Sequence, residues 1–296
     1  MDAGHRGDPR RGARHQPGAA DRDRGGQRQG TFPQAGSLST PRARRSLGQN
    51  WLVDHELRER VVAAAGIEPE DEVLEIGAGP GTLTGRLVQL GRRVVAVELD
   101  RRLEPRLRAA APSAEILIAD VLKVDLAALF PEGGEIVVGN IPYYLTGALL
   151  PKLLEPEPRP RRLSLVVQRE VARRWCGLDG WSLATVVVQT FSRPRIAFEL
   201  PAEAFEPRPR VDSALVVLEV LERPAIEVPD LGAFFRFVEA VFQFRRKQLR
   251  GALTRAIGLG SAEVASRLQE LGVYTSRRAE TLTLEEWQMV FTALKS

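Results

Sequence analysis

From residue 46 onward, short apolar runs alternate with amphipathic stretches. DEVLEIG (71–77), RRVVAVELD (92–100), AEILIAD (114–120), EIVVGNI (135–141), LSLVVQ (163–168), ATVVVQTFS (184–192) and ALVVLEVL (214–221) each read as a strand. Most are β-branched runs without polar alternation, the pattern of parallel strands buried on both faces. Residues 55–65 read as a short amphipathic helix, with Val61 and Val62 inward and Gly66 placed to stop it. TLTGRLVQLG (82–91) reads as a helix closed by a glycine. Strands separated by helical segments predict a doubly wound α/β sheet.

The pattern changes after ERPAIEVPD (222–230), which carries two prolines and little periodicity and reads as a linker. FFRFVEAVFQF, SAEVASRLQELG and TLEEWQMVFTAL all show three-to-four spacing, and Thr283 with Glu286 has the spacing of a capping box. The expected organisation is a sheet domain over 46–221 and a small all-helical domain over 222–296. Residues 1–45 are rich in Gly, Arg, Gln and Pro and hold almost no large apolar residues, so they are expected to be a disordered basic tail. A basic arm with non-specific RNA affinity, a dispensable tail and a miscalled start codon all fit that composition.

Composition narrows the class. Hydrophobic content of 44% is ordinary for a globular protein, and no apolar run approaches the roughly 20 residues that span a bilayer. The N-terminus has no apolar core of a secretory signal. Cys176 is the only cysteine, which excludes an internal disulfide and a cysteine-based metal site and fits a cytoplasmic protein. No metal is expected. The formal charge of +4 hides an asymmetry: ten arginines against four aspartates give residues 1–46 a net +6, leaving −2 for the other 250 residues. Any nucleic-acid surface on the folded part must therefore be local. Only four of the 42 basic residues are lysine, which suits bidentate phosphate contacts and equally fits a nucleotide bias in the genome.

EIGAGPG (75–81) joins the first long strand to the first helix of the sheet. Gly77, Gly79 and Gly81 let the backbone turn sharply and a ligand approach closely. A dinucleotide fingerprint would place its third glycine at position 82, which is Thr82. Glu98 ends the next strand, 21 residues after Gly77, a spacing that suits a carboxylate on a ribose diol. NAD and S-adenosylmethionine both carry such a diol. Asp120 ends the third strand and could accept a hydrogen bond from an adenine amine.

VVGNIPYYLTG (137–147) borders the same crevice. The exocyclic amine of adenine is a poor nucleophile, so a site for it needs acceptors that hold its hydrogens and favour a pyramidal nitrogen. The Asn140 side-chain oxygen supplies one and the Ile141 carbonyl another, with Pro142 biasing Ile141 toward an extended conformation. Tyr143 offers a flat face for a base taken out of its stack. No strong base is needed if the methyl donor is already activated.

These residues together resemble the ribosomal RNA adenine N6,N6-dimethyltransferases of the KsgA/Dim type, with the Erm methylases as close relatives. The resemblance runs from about Ser46 to the C-terminus. SLGQNWLVD (46–54) is similar to the family's entry motif, EIGAGPG to its methyl-donor loop and GNIPYY to its catalytic motif. VVQREVARR (166–174) and FEPRPRVDSALV (205–216) resemble two further signatures. The resemblance implies a Rossmann-like class I S-adenosylmethionine-dependent methyltransferase sheet. It implies donor contacts at Asn50, Leu52, Gly77, Gly79, Glu98, Asp120 and Asn140. It also implies that Asn140 and Tyr143 hold the target adenine, with Phe205 closing the other side of the ring. WCGLDGWSLAT (175–185) departs from the family: the loop is shortened and the usual arginine is absent.

Residues 231–257 carry a net +5, and on a continuous helix Arg246 and Arg250 would share a face, flanked by Arg245 and Lys247. That face is expected to lie along RNA phosphates. RKQLRGAL and RRAETLTLEEW resemble the small subunit enzymes more than Erm. The resemblance then implies dimethylation of two neighbouring adenosines near the 3′ end of small subunit (16S) ribosomal RNA, in a pre-30S particle; a monomer with no membrane partner is expected. Three other readings remain open at this level: an Erm-type 23S methylase, an assembly factor with methylation secondary, and a nicotinamide oxidoreductase.

Overall fold

The β-branched runs become the strands of one mixed sheet. The computed structural model describes residues 41–295. In chain order the elements are β1 (Trp51–Leu52), α1 (His55–Ala65), β2 (Glu72–Ile76), α2 (Thr84–Leu87), β3 (Arg93–Glu98), α3 (Glu104–Ala110), β4 (Glu115–Ile118) and α4 (Leu126–Leu129). Then follow β5 (Ile136–Asn140), α5 (Thr146–Leu154), β6 (Arg162–Gln168), α6 (Arg169–Trp175), α7 (Leu183–Phe191), β7 (Ser192–Leu200), β8 (Phe205–Glu206) and β9 (Ser213–Val220). The C-terminal part is helical: α8 (Leu231–Phe242), α9 (Leu249–Ile257), α10 (Ser261–Glu270) and α11 (Leu284–Lys295). The basic tail expected over residues 1–45 lies outside the described residues up to residue 40. Arg42 and Arg44 are already tied to the body through backbone hydrogen bonds.

The seven-stranded sheet has the order β4-β3-β2-β5-β6-β9-β7. Its first five strands are parallel, with Ile76 opposite Val97 and Gly139, and Glu98 opposite Ile118. That register brings the C-terminal ends of β2, β3, β4 and β5 to one edge, where open α/β sheets bind ligands. Both faces are covered. One apolar cluster gathers Leu74, Val95, Val137 and Leu165 with α5 and α7, and another gathers Val73, Val94, Ile136 and Val138 with α1. Helix α1 matches its expected bounds, capped by the Asp54 carboxylate accepting from Leu57 N and by Gly66 at φ 61°.

Three expectations are corrected. ATVVVQTFS is the helix α7, not a strand. A β-branched run buried on all sides looks the same in either state. Ser182 and Thr185 form a reciprocal cap at its start, and the hydroxyls of Thr190 and Ser192 donate to the carbonyls of Val186 and Val188. The strand next to it is β7, antiparallel to β9, which is in turn antiparallel to β6. Pro194 is tolerated there because β7 is an edge strand. The helix expected over 82–91 is regular only through α2 and continues as turns to Gly91.

The third correction concerns the basic segment. Arg245, Arg246 and Lys247 lie in a turn between α8 and α9 and do not share a helix face with Arg250. After Phe242 the backbone tightens: the amides of Phe244, Arg245 and Lys247 each bond the carbonyl three residues back. The chain then restarts as α9, whose Leu249 and Arg250 amides donate to the carbonyls of Arg277 and Thr275. These are orphan donors of a helix N-terminus, satisfied from another loop.

The helical part has its own core, in which Phe234, Phe237, Trp287 and Phe291 meet with ring centroids 5.4–6.3 Å apart. Val186 of α7 joins that core, and the Trp181 amide donates to the Glu280 carbonyl. The segment that departs from the family pattern thus folds back on itself through the Arg173–Asp179 ion pair and docks on the helical part. Thr283 and Glu286 form the expected capping box, and Glu286 also pairs with Arg277.

Candidate active site

A cavity of about 260 Å³ opens at the C-terminal edge of the parallel strands. Its walls come from four places: the segment 47–51, the glycine loop after β2, the ends of β3 and β4, and residues 140–145 after β5. Gly77, Gly79 and Gly81 all have positive φ (74°, 60° and 88°), so the loop takes a path closed to other residues without strain. A Cβ on Gly79 would stand 3.3 Å from the Trp51 ring, inside the cavity wall.

Glu98 is buried and orients the loop. Its Oε2 accepts from Gly79 N at 2.8 Å and its Oε1 from Asp100 N at 2.7 Å. Burial pushes its carboxyl above the usual range, against the pull of those two amides. Asp120 caps a single helical turn through Oδ1, which accepts from Leu122 N at 3.0 Å. The Asn140 amide nitrogen donates to the Asn50 carbonyl at 2.7 Å. That bond fixes which end of the carboxamide is which and leaves Oδ1 as the acceptor.

Both tyrosines line the cavity. The Tyr143 hydroxyl is 3.0 Å from Ser213 Oγ, which pins the half-buried ring against β9. Burial raises its pKa above the usual phenol value, with Ser213 opposing and Asp212 adding, so the hydroxyl stays protonated at neutral pH. Tyr144 is 60% exposed, with its ring edge 3.5 Å from where a Cβ on Gly48 would stand. Burial, and then the charges of Asp120 and Glu98 in the same cavity, push its hydroxyl above the usual phenol pKa.

Of the expected site residues, Asn50, Gly77, Gly79, Glu98, Asp120, Asn140 and Tyr143 converge on the cavity. Leu52 and Phe205, expected at the donor and across the adenine, do not line it. They sit opposite each other in the two-stranded ribbon β1–β8 and share a face. That face is turned into the apolar cluster with Val61, Leu83 and Leu87, and the exposures of Leu52 and Phe205 are 2% and 4%. Reading by motif missed Gln49, Trp51, Tyr144 and Ser213. Tyr144 and Ser213 stand inside the quoted motifs and could have been singled out as aromatic and hydroxyl neighbours.

Glu75 lies directly behind the glycine loop and is fully buried. Desolvation pushes its carboxyl up to about 8, with the Thr84 hydroxyl opposing and the charge of Glu98 adding. The folded protein therefore holds a proton that the unfolded chain releases near 4.5, the ordinary value for a glutamate. This contribution to stability is fully present below that value and is lost as pH rises toward 8, at up to about 1.4 kcal/mol per pH unit. Glu75→Gln is expected to flatten the fall in unfolding free energy between pH 5 and 8, read by denaturant titration. Parallel pH profiles for the two proteins would contradict the assignment.

The comparisons with known proteins agree with this geometry. The family described as ribosomal RNA adenine dimethylase matches residues 40–296. Ribosomal RNA small subunit methyltransferase A of Dehalococcoides mccartyi is 36% identical over 256 residues, 85% of this chain and 88% of its own length. The protein of the same name from Desulfitobacterium hafniense is 39% identical over 259 residues, 86% of this chain and 92% of its own. Among solved structures, the 23S rRNA methyltransferase ErmE is 29% identical with a TM-score of 0.66, covering 83% of this chain and 100% of that one. A dimethyladenosine transferase from Plasmodium falciparum shares the fold at 21% identity, with a TM-score of 0.68 and coverage of 82% and 97%. Fold and site define a Rossmann-like methyltransferase carrying a helical C-terminal part. The chain belongs to the ribosomal RNA adenine dimethylase family and is an enzyme of that kind.

Proposed function

We propose that this enzyme transfers methyl groups from S-adenosylmethionine to the N6 amine of two neighbouring adenosines near the 3′ end of small subunit ribosomal RNA, in an assembling subunit. The observation that carries the chemistry is the Asn140 carboxamide. Its nitrogen is committed to Asn50 O, so Oδ1 is presented to the cavity as an acceptor for an amine hydrogen. Support for the small subunit comes from relatives of that name, at 36% and 39% identity over 85% and 86% of this chain. The position of the two adenosines follows from the resemblance in the motifs.

The residues present fit the donor. Each Glu98 oxygen accepts one backbone amide and has capacity for one more donor, which suits a ribose diol. Asp120 has its second oxygen left for an adenine amine, and the glycine loop leaves room for close approach. The donor supplies an electrophilic methyl on a sulfonium. The chain supplies position: Asn140 Oδ1 and the Ile141 carbonyl hold the amine, and Tyr143 holds the ring face. With the Tyr143 hydroxyl raised and pinned, catalysis rests on placement and acceptor electrostatics.

RNA would be held in part by the turn between α8 and α9. Arg245, Arg246, Lys247 and Arg250 are all exposed, and none of them makes an ion pair among the described residues. Tyr274, 75% exposed, lies on the loop whose carbonyls receive the α9 amides and adds an aromatic face beside the positive charge.

The test is to supply labelled S-adenosylmethionine with unmethylated small or large subunits. Label is expected in small subunit RNA alone. Label confined to large subunit RNA would overturn the reading in favour of an Erm-type target, and no label with intact particle binding would favour an assembly factor. In the same assay, Arg246→Glu with Lys247→Glu should weaken particle binding by about tenfold or more and reduce its salt dependence. Unchanged binding would remove the turn from the interface.

A further inference from the structure

Residues 44–51 form a strap whose residues 47–51 wall the cavity. At one end the strap is woven into the fold by the β1–β8 pairing, with Trp51 opposite Glu206. At the other end it is a tight turn, with the amides of Leu47 and Gln49 both donating to the Arg44 carbonyl. The Gln49 side chain closes that turn: its Oε1 accepts from Arg44 N at 2.7 Å. Its Nε2 reaches across to the sheet and donates to Asp100 Oδ2 at 3.1 Å.

Asp100 is a built anchor. It is 3% exposed, caps the turn after β3 through Arg102 N, and receives the Arg102 guanidinium at 2.9 Å. Its own amide donates to Glu98 Oε1, and Glu98 Oε2 in turn holds Gly79 N. One chain of hydrogen bonds therefore runs from the strap through Asp100 and Glu98 to the glycine loop. One residue beyond Gln49, the strap delivers the Asn50 carbonyl to the Asn140 amide. The strap is held there as well, since the Asn50 side-chain Nδ2 donates to Gly48 O at 3.2 Å and Gly48 has φ 61° beside Tyr144.

We infer that Gln49 is a positioning residue for methyl transfer: its bridge from the Arg44 amide to Asp100 holds the strap so that the Asn50 carbonyl keeps Asn140 Oδ1 turned toward the amine. The inference rests on the acceptor role given to Asn140. Gln49 touches neither reacting atom. It links the ribose end of the cavity to the methyl-transfer end, so loosening it lets the Asn140 carboxamide rotate and present its nitrogen. An amide hydrogen where an acceptor is required repels the amine hydrogens. The expected signature is a fall in kcat with a rise in KM for the donor, and an unchanged KM for the RNA particle.

The experiment compares the wild-type enzyme with Gln49→Leu, Gln49→Glu and the pair Gln49→Glu with Asp100→Asn, all as full chains on small subunits. Gln49→Leu should lower kcat by about tenfold, within the range of up to about a hundredfold for small misplacements at a distance from the chemistry. Gln49→Glu sets a carboxylate against Asp100 and should be worse. The pair removes the repulsion between two carboxylates across the same gap and should recover part of that loss in kcat, short of wild type because the new amide also faces the Arg102 guanidinium. Thermal unfolding of each variant identifies any that fails to fold, and the comparison of Gln49→Glu with the pair then carries the test. Wild-type kcat in Gln49→Leu, or a pair no better than Gln49→Glu alone, would overturn the inference. If Asn140→Ala is itself fully active, the acceptor reading fails first, whatever the Gln49 variants do.

Discussion

Asn140→Ala is expected to reduce kcat by about 10² to 10³, the loss typical of removing one preorganised polar group at a site of developing charge. The physical reason is the state of the amine. Its lone pair is delocalised into the ring until the nitrogen becomes pyramidal, and Asn140 Oδ1 is placed to stabilise that geometry. Alanine leaves β5 intact, because Asn140 sits at the last residue of the strand, opposite Val166. Donor binding should persist within a few-fold, since Glu98, Asp120 and the glycine loop keep their own hydrogen bonds. The loss should therefore appear in kcat and kcat/KM alike, with KM for the donor little changed. Single-turnover rates with saturating donor check it, and a variant with wild-type turnover would remove Asn140 from the chemistry.

The second large effect is at Tyr143. Tyr143→Ala removes the ring face and should lower kcat/KM by about 10- to 100-fold, in line with roughly 1–3 kcal/mol per stacked base. Tyr143→Phe keeps the ring and loses only the hydroxyl contact to Ser213 Oγ. Its activity should stay within a few-fold of wild type. Its stability should fall by about 1–3 kcal/mol, because Ser213 is buried and would be left unpaired. Adding Ser213→Ala to Tyr143→Phe should restore that stability, since both partners are then apolar. Equal loss of activity in the Ala and Phe variants would place the function in the hydroxyl instead of the ring.

The parallel half of the fold was legible because most of its strands are buried on both faces and rich in β-branched residues, the edge strand β4 being only partly covered. ATVVVQTFS failed for the same reason: burial on all sides erases the periodicity that separates helix from strand. The break between α8 and α9 was not legible in FQFRRKQLRGAL, because it depends on carbonyls of Thr275 and Arg277 that meet the α9 amides only in the folded chain.

The site divides in the same way. Gly77, Gly79, Glu98, Asp120 and Asn140 converge because each stands at or just beyond the C-terminal end of a parallel strand, a position that strand order alone dictates. Leu52 and Phe205 are buried in the apolar cluster because a two-residue ribbon between distant segments sets their direction. Gln49 was silent in the sequence: nothing local to SLGQNWLVD announces Asp100, 51 residues away, as its partner.

The central claim is that this cavity brings a methyl donor to the N6 amine of an adenine. The most direct measurement is to digest RNA from small subunits treated with the enzyme and labelled S-adenosylmethionine, and to identify the modified nucleoside by mass spectrometry. The expected product is N6,N6-dimethyladenosine carrying all the label, at two residues per subunit. Label on a ribose oxygen, on a ring nitrogen or on another base would contradict the placement of the amine against Asn140.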